Sequence, residues 1–203
     1  MRGPTKPLAV FYHVAHIGER WQSIDREISN ALAASGLMEC VDLFVRNDCR
    51  RGELFEFPTI DMLREFSFNN DYYVLYLHTK GVTQPIQSVD DWRACMLYWI
   101  VERWRECVEK LDEGRDAVGI NHMASPVRHF QGNFWWAKTQ LIRNLGRVQD
   151  VQYKPTHTNQ TERHKAEFWL LGKGANAYEP YHHRIDPYCT RNPRANYVGR
   201  QFL

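Results

Sequence analysis

Short apolar runs alternate with amphipathic stretches along this chain, and the period of each predicts its element. Leu8 to Tyr12 (LAVFY) is apolar, aromatic and β-branched and opens into His13, the pattern of a buried strand with a polar exit. From Glu19 to Ala34 the apolar residues Trp21, Ile24, Ile28 and Leu32 recur every three or four positions, predicting an amphipathic helix ended near Gly36. Val41 to Val45 predicts a second strand, followed by the charged connection RNDCRRGE and a short helix begun by Pro58 and Thr59.

Tyr72 to Leu77 (YYVLYL) is the most strand-like stretch and runs straight into His78, Thr79, Lys80 and Gly81, so a buried central strand stops at a polar loop. Ser88 with Asp91 resembles a capping box, and Trp92, Cys95, Met96, Trp99, Trp104 and Leu111 mark the core face of one long helix. Ala117 to Ile120 and Asn133 to Ala137 predict two more strands, the second leading to a short helix from Thr139 to Gly146. After a polar stretch from Val148, Asn159 and Glu162 can cap a helix to Leu171, and Ala175 to Tyr178 is a last strand candidate. The alternation reads as an α/β fold in a single domain over residues 1–203. Residues 180–203 are a C-terminal stretch without period, either an ordered arm over the domain or a loose end.

Composition narrows the class of protein. With 43% hydrophobic and 25% charged residues, the 203-residue chain can bury a sizeable core. Lys plus Arg (26) against Asp plus Glu (24) leaves a formal +2, which demands neither a nucleic-acid nor a membrane partner. An RNA-binding module using the Arg-rich tail would need stacking platforms and a stronger positive balance. No apolar run approaches the roughly 18 residues of a membrane helix, and the first apolar stretch is too short for a signal peptide, so a cytoplasmic protein is expected. Five cysteines, with no C-x-x-C pair, point to reduced and mostly buried thiols rather than a disulfide or zinc framework.

Candidate chemistry lies at the strand exits, where open α/β sheets bind ligands. These exits carry His13 and His16, then His78, Thr79 and Lys80, then Asn121 and His122, then Gly132 and Asn133. Imidazoles, amides and an ammonium suit an anionic or hydroxyl-rich ligand, and a phosphate-bearing one fits. The chain has no P-loop, no G-x-G-x-x-G after the first strand, no G-x-S-x-G and no H-E-x-x-H, which disfavours the NTPase, dinucleotide, serine hydrolase and zincin classes.

The stretch DYYVLYLHTKGV (Asp71 to Val82) resembles the D-x-V-L-Y-L-D-x-D segment that ends the central strand of nucleotide-sugar-dependent glycosyltransferases of the GT-A fold. The HTKG loop, the D-W-R of Asp91 to Arg93, the segment FQGNFWWAK (Phe130 to Lys138) and the later RHKAEFWLL are similar to a group of small bacterial and viral members. The likeness spans about residues 8 to 185. It implies a GT-A-like, Rossmann-like mixed sheet flanked by helices. It also implies transfer of a sugar from a nucleotide-sugar donor, a UDP-sugar by resemblance, to a hydroxyl of a glycan acceptor, with polysaccharide biosynthesis as the setting. A non-catalytic nucleotide-sugar or glycan-binding module of the same fold is the alternative.

The resemblance also distributes roles. Where metal-dependent members carry the D-x-D carboxylates that hold Mn or Mg, this chain has His78, Thr79 and Lys80. An ammonium can neutralise a leaving diphosphate directly, so Lys80 is a candidate replacement for the ion, and metal dependence stays open. His13, His78, Thr79, Lys80, Asn121, His183 and Arg184 are candidates for donor binding, the last two from the late cluster Tyr181 to Arg184. For the base that takes the acceptor proton, Glu162 and Glu167 are the candidates. Glu162 has a competing role in a helix cap, and Glu167 could pair with Arg163 on the surface, or could be buried enough to raise its pKa. Asn133 with Trp135 or Trp136 would face the acceptor, core packing being the competing role of either indole.

Overall fold

The computed structural model describes residues 3–156, 161–183 and 185–202. The first half of the chain runs β1 (Leu8–Ala15), α1 (Trp21–Ala34), β2 (Leu43–Cys49), α2 (Phe57–Asn69), β3 (Tyr73–His78), α3 (Gln87–Met96) and α4 (Trp104–Asp112). The second half runs β4 (Ala117–Gly119), β5 (His122–Met123), β6 (His129–Phe130), β7 (Trp135–Lys138), α5 (Thr139–Ile142), α6 (Lys165–Phe168) and β8 (Ala177–Tyr178). Six strands form one mixed sheet in the order β2-β1-β3-β7-β4-β8, and β5 with β6 makes a separate small hairpin. β1 lies parallel to β2 and β3, β7 is antiparallel to both β3 and β4, and β8 is parallel to β4.

The sheet is covered on both faces, which explains why its central strands are apolar without alternation. Along β1, Leu8, Val10, Tyr12 and Val14 enter a cluster with Ile24, Ile28, Trp99 and Trp136, whereas Ala9 and Phe11 enter another with Ile60, Leu63, Tyr76 and Trp135. Successive residues point to opposite faces, so one strand feeds two cores. Trp92, Trp99 and Trp104 are buried, as their helical spacing predicts. All five cysteines are free, Cys49, Cys95 and Cys107 being buried.

Three expected elements differ. β2 continues through Arg46 and Asp48, where the charges predict a connection. It is the edge strand beside β1 among the described residues, and its exposed side holds Arg46 against Asp48 at 2.9 Å and against Asp25 at 2.8 Å. The long helix is interrupted by a π-helical turn at Leu97–Glu102, yet its apolar face stays buried. The helix expected up to Leu171 shrinks to a 3-10 turn at Glu162–His164 and the four residues of α6; Asn159, its expected cap, lies outside the described residues.

Ser88 and Asp91 do not form the expected capping box. The Ser88 hydroxyl instead donates to the Tyr188 carbonyl at 2.8 Å, and Asp91 accepts from Arg191 at 2.5 Å and from the Asn192 amide at 3.1 Å. These bonds hold the C-terminal stretch against α3. The stretch also stacks Tyr181 on Trp99 with centroids 5.1 Å apart and buries Tyr197, so its described part is an ordered arm. Among the described residues no helix is long and apolar enough to cross a membrane.

Replacing Asp91 by Ala removes two anchors of this arm at once. The expected loss is about 1–3 kcal/mol in urea unfolding. Faster tryptic cleavage within residues 185–202, with the sheet core still resistant, would accompany it.

Candidate functional site

Parallel pairing of β1 with β3 sets His13 level with His78, so the two strands end side by side. The loop that follows β3 is tied back to β1, because the Thr79 amide donates to the His13 carbonyl at 3.1 Å and the Ala15 amide donates to Thr79 Oγ1 at 2.9 Å. Gly81 then turns with φ +88°, a left-handed conformation that glycine adopts without strain. Beyond these ends lies a pocket whose polar lining includes His13, Glu56, His78, Lys80, Asn133, Arg163 and Glu167. Lys80 Nζ rests 4.2 Å from the centroid of the Trp92 ring and 6.0 Å from that of Tyr188, a residue of the arm. Among the described residues the ammonium makes no ion pair.

The opposite wall comes from the turn before β7. Gly132 has φ +92°, and a Cβ there would lie 2.5 Å from Met96 Sδ and 2.8 Å from the Trp92 ring, so only glycine fits. Its carbonyl accepts from His78 Nε2 at 3.1 Å, and its amide donates to Glu167 Oε1. Asn133, also left-handed at φ 62°, donates from Nδ2 to Glu56 Oε2 at 2.6 Å and accepts from Trp135 Nε1 at 2.8 Å. Glu56 Oε2 takes a second hydrogen bond from the Tyr76 hydroxyl at 2.9 Å, while Oε1 lies 3.5 Å from His78 Nδ1.

Burial and neighbouring charge set the protonation of these groups. Burial, reinforced by His78, pushes His13 down to about 4 despite Glu56. Burial and the nearby Lys80 push His78 down to about 3. Glu56 is raised, because burial outweighs His13, Lys80 and its two hydrogen-bond donors. Glu167 is lowered: burial alone would raise it, but Lys80, His129, the Gly132 amide and His164 together prevail. The pocket therefore holds neutral imidazoles, the Lys80 ammonium, the Arg163 guanidinium and two carboxyl groups driven in opposite directions.

Of the residues singled out from the sequence, His13, His78, Thr79, Lys80, Asn133 and Glu167 line this pocket. Thr79 is spent on holding the loop. Glu167 faces the Gly132 amide rather than Arg163, and its lowered pKa reverses the expectation that burial would raise it. Glu162 is exposed and paired with Lys165 at 2.7 Å, outside the pocket.

Asn121 and His183 do not reach the pocket either. The His183 amide donates to Asn121 Oδ1 at 2.9 Å, and Asn121 Nδ2 meets His183 Nε2, so the arm consumes the polar groups at the β4 exit. β7 stands between β4 and β3, which places that exit two strand spacings, about 10 Å, away. Arg184 lies outside the described residues. His16 pairs with Asp48 at 2.6 Å and stacks on Trp21, also outside. Trp135 and Trp136 are 1% and 0% exposed, packed in the two opposite cores, so neither indole offers a face to an acceptor.

Glu56 was not legible as a site residue. Two positions ahead of Pro58 it looks like an ordinary helix-start carboxylate, and its partners Tyr76 and Asn133 are 20 and 77 positions away. The positions matching D-x-D lack the paired carboxylates that hold a divalent cation. His78 Nε2 is committed to a carbonyl, Thr79 Oγ1 to an amide, and Lys80 would repel the ion. Among the described residues no group of three or more His, Cys, Asp or Glu side chains is placed to hold a metal.

The two depressed imidazoles make stability depend on pH in a definite direction. A base whose folded pKa lies below its unfolded value of 6.5 contributes stability above that pH and withdraws it as the pH falls. Urea midpoints should therefore fall from pH 6.5 toward about 4 for His13 and about 3 for His78. The slope should approach about 1.4 kcal/mol per pH unit for each group. His13→Gln should flatten the curve in that window.

No curated protein and no solved structure matches the sequence. Residues 8–183 match the family described as Domain of unknown function (DUF8361), and the chain belongs to that family.

Proposed function

We propose that this protein is a glycosyltransferase that moves a sugar from a nucleotide-sugar donor, a UDP-sugar by resemblance, to a hydroxyl of a glycan acceptor in the cytoplasm. The observation that carries the reading is the pocket beyond β1 and β3, in which the ammonium of Lys80, without an ion pair among the described residues, and the Glu167 carboxyl, its pKa lowered, share one cavity. Support also comes from the mixed sheet, whose pocket lies at carboxyl ends of parallel strands, where such folds bind ligands.

In the proposed reaction the acceptor oxygen forms a bond to the anomeric carbon as the bond from that carbon to the diphosphate oxygen breaks. The departing electron pair collects on the diphosphate, where Lys80 balances it. Because the ammonium sits against Trp92 before any ligand arrives, little reorganisation is needed at that moment. The acceptor hydroxyl gives its proton to Glu167, whose lowered pKa keeps it ionised and ready to receive one. No step is assigned to a metal ion.

Burial of Trp135 and Trp136 favours the second reading, a module that binds a nucleotide sugar without turnover, because it removes the expected acceptor platform. A thermal-shift panel of nucleotide sugars, with and without manganese, should show stabilisation by UDP-sugars that does not require the metal. Lys80→Ala should weaken that binding by about tenfold to a hundredfold. Wild-type affinity in Lys80→Ala, together with loss of binding on chelation, would refute the role given to the ammonium. Glu167→Gln should keep donor affinity within about threefold while transfer falls about 10²- to 10⁴-fold. Donor binding with neither transfer nor donor hydrolysis by the wild type would establish the module instead.

A further inference from the structure

Two carboxyl groups in one anion pocket pose a problem, since both ionised would cancel Lys80 and Arg163 and leave no net positive charge for a diphosphate. The hydrogen bonds around Glu56 resolve it. Among the described residues His78 Nε2 meets the Gly132 carbonyl, an acceptor, so Nε2 carries the imidazole proton. In the neutral ring Nδ1 is then a bare lone pair, and it faces Glu56 Oε1 across 3.5 Å. Oε2 already accepts from both Tyr76 and Asn133, so a proton on the carboxyl belongs on Oε1, between two otherwise electron-rich atoms.

We propose that Glu56 serves the pocket as a neutral carboxylic acid, its proton on Oε1 directed at His78 Nδ1, and that it thereby keeps His78 neutral and the pocket open to a phosphate-bearing ligand. Glu56 is a positioning residue, acting through His78 and through the charge it withholds. The groups facing the pair are consistent with this assignment. His13 comes from β1, Tyr76 from β3, Lys80 from the loop after it, Asn133 from the turn before β7, and Arg163 and Glu167 from the segment around α6. With Lys80 and Arg163 already present, a second proton on His78 would add a third cation in a buried position, whereas one on Glu56 removes an anion. The part concerning the phosphate-bearing ligand rests on the proposed function; the protonation state does not.

Nuclear magnetic resonance of the full chain tests that state directly. The Glu56 carboxyl carbon, assigned by its loss in Glu56→Gln, should titrate above the ordinary 4.5, and the proposal requires that it still report a protonated acid at about pH 6. The His78 nitrogens should show Nε2 protonated and Nδ1 bare. A Glu56 carboxyl that titrates at or below its ordinary value, or a doubly protonated His78 at that pH, overturns the proposal without any reference to the variant's folding.

Uridine diphosphate is the probe for the consequence. Glu56→Gln places an amide N–H toward His78 and leaves a carbonyl oxygen for Tyr76 and Asn133, so it mimics the neutral acid. Its affinity at about pH 6 should stay within about threefold of wild type. Binding about tenfold tighter in Glu56→Gln would mean that the wild-type group was ionised, and loss of binding in the folded variant would mean that a carboxylate is required. Either result overturns the proposal. If wild type and variant both ignore the probe, the nucleotide-sugar reading falls while the resonance titration still decides the state of Glu56.

Discussion

The backbone of Gly132 is the constraint on which the site depends. Its carbonyl fixes His78 and its amide fixes Glu167, so one residue joins the end of the central strand to the α6 segment. Its left-handed backbone favours glycine, and no side chain fits between the chain and Met96 with Trp92. The same Trp92 carries Lys80 on its ring. Core packing on α3 therefore locates a hydrogen-bonding turn on one side and an ammonium on the other.

A consequence of this construction is that the polar wall is hydrogen-bonded in place while its charges are separated. The imidazoles are buried at strand ends, where desolvation keeps them neutral. Glu167 is lowered by nearby cations and an amide, whereas Glu56, with neutral donors on one oxygen and an imidazole facing the other, is raised by its burial. Two carboxyl groups of similar intrinsic acidity acquire different chemistry from different neighbours.

The C-terminal arm has a similar double role. Its hydrogen bonds to Ser88 and Asp91 take the polar groups that a sequence reading assigns to a helix cap. It also brings Tyr188 to the pocket and closes the β4 exit with His183. An aperiodic tail thus contributes to a site and removes another exit from it. Nothing in the composition of YHHRIDPYCTRNPRANYVGRQFL distinguishes those tasks.

Local patterns determined the elements whose environment is simple. Apolar runs without alternation identified β1 and β3, helical periodicity identified α1 and the buried Trp92, Trp99 and Trp104, and the polar exits pointed to His13, His78 and Lys80. These are short-range properties, since a strand buried on both faces or a one-sided helix writes its surroundings into neighbouring residues. Tertiary structure alone decided that β2 runs through its charges, that Trp135 and Trp136 turn into opposite cores, and that Asn121 and His183 bind each other. It alone brought Glu56 to His78 and Asn133. Those outcomes depend on pairing between distant segments and on how much water each group loses on folding, and neither quantity is a property of a residue and its neighbours in the chain.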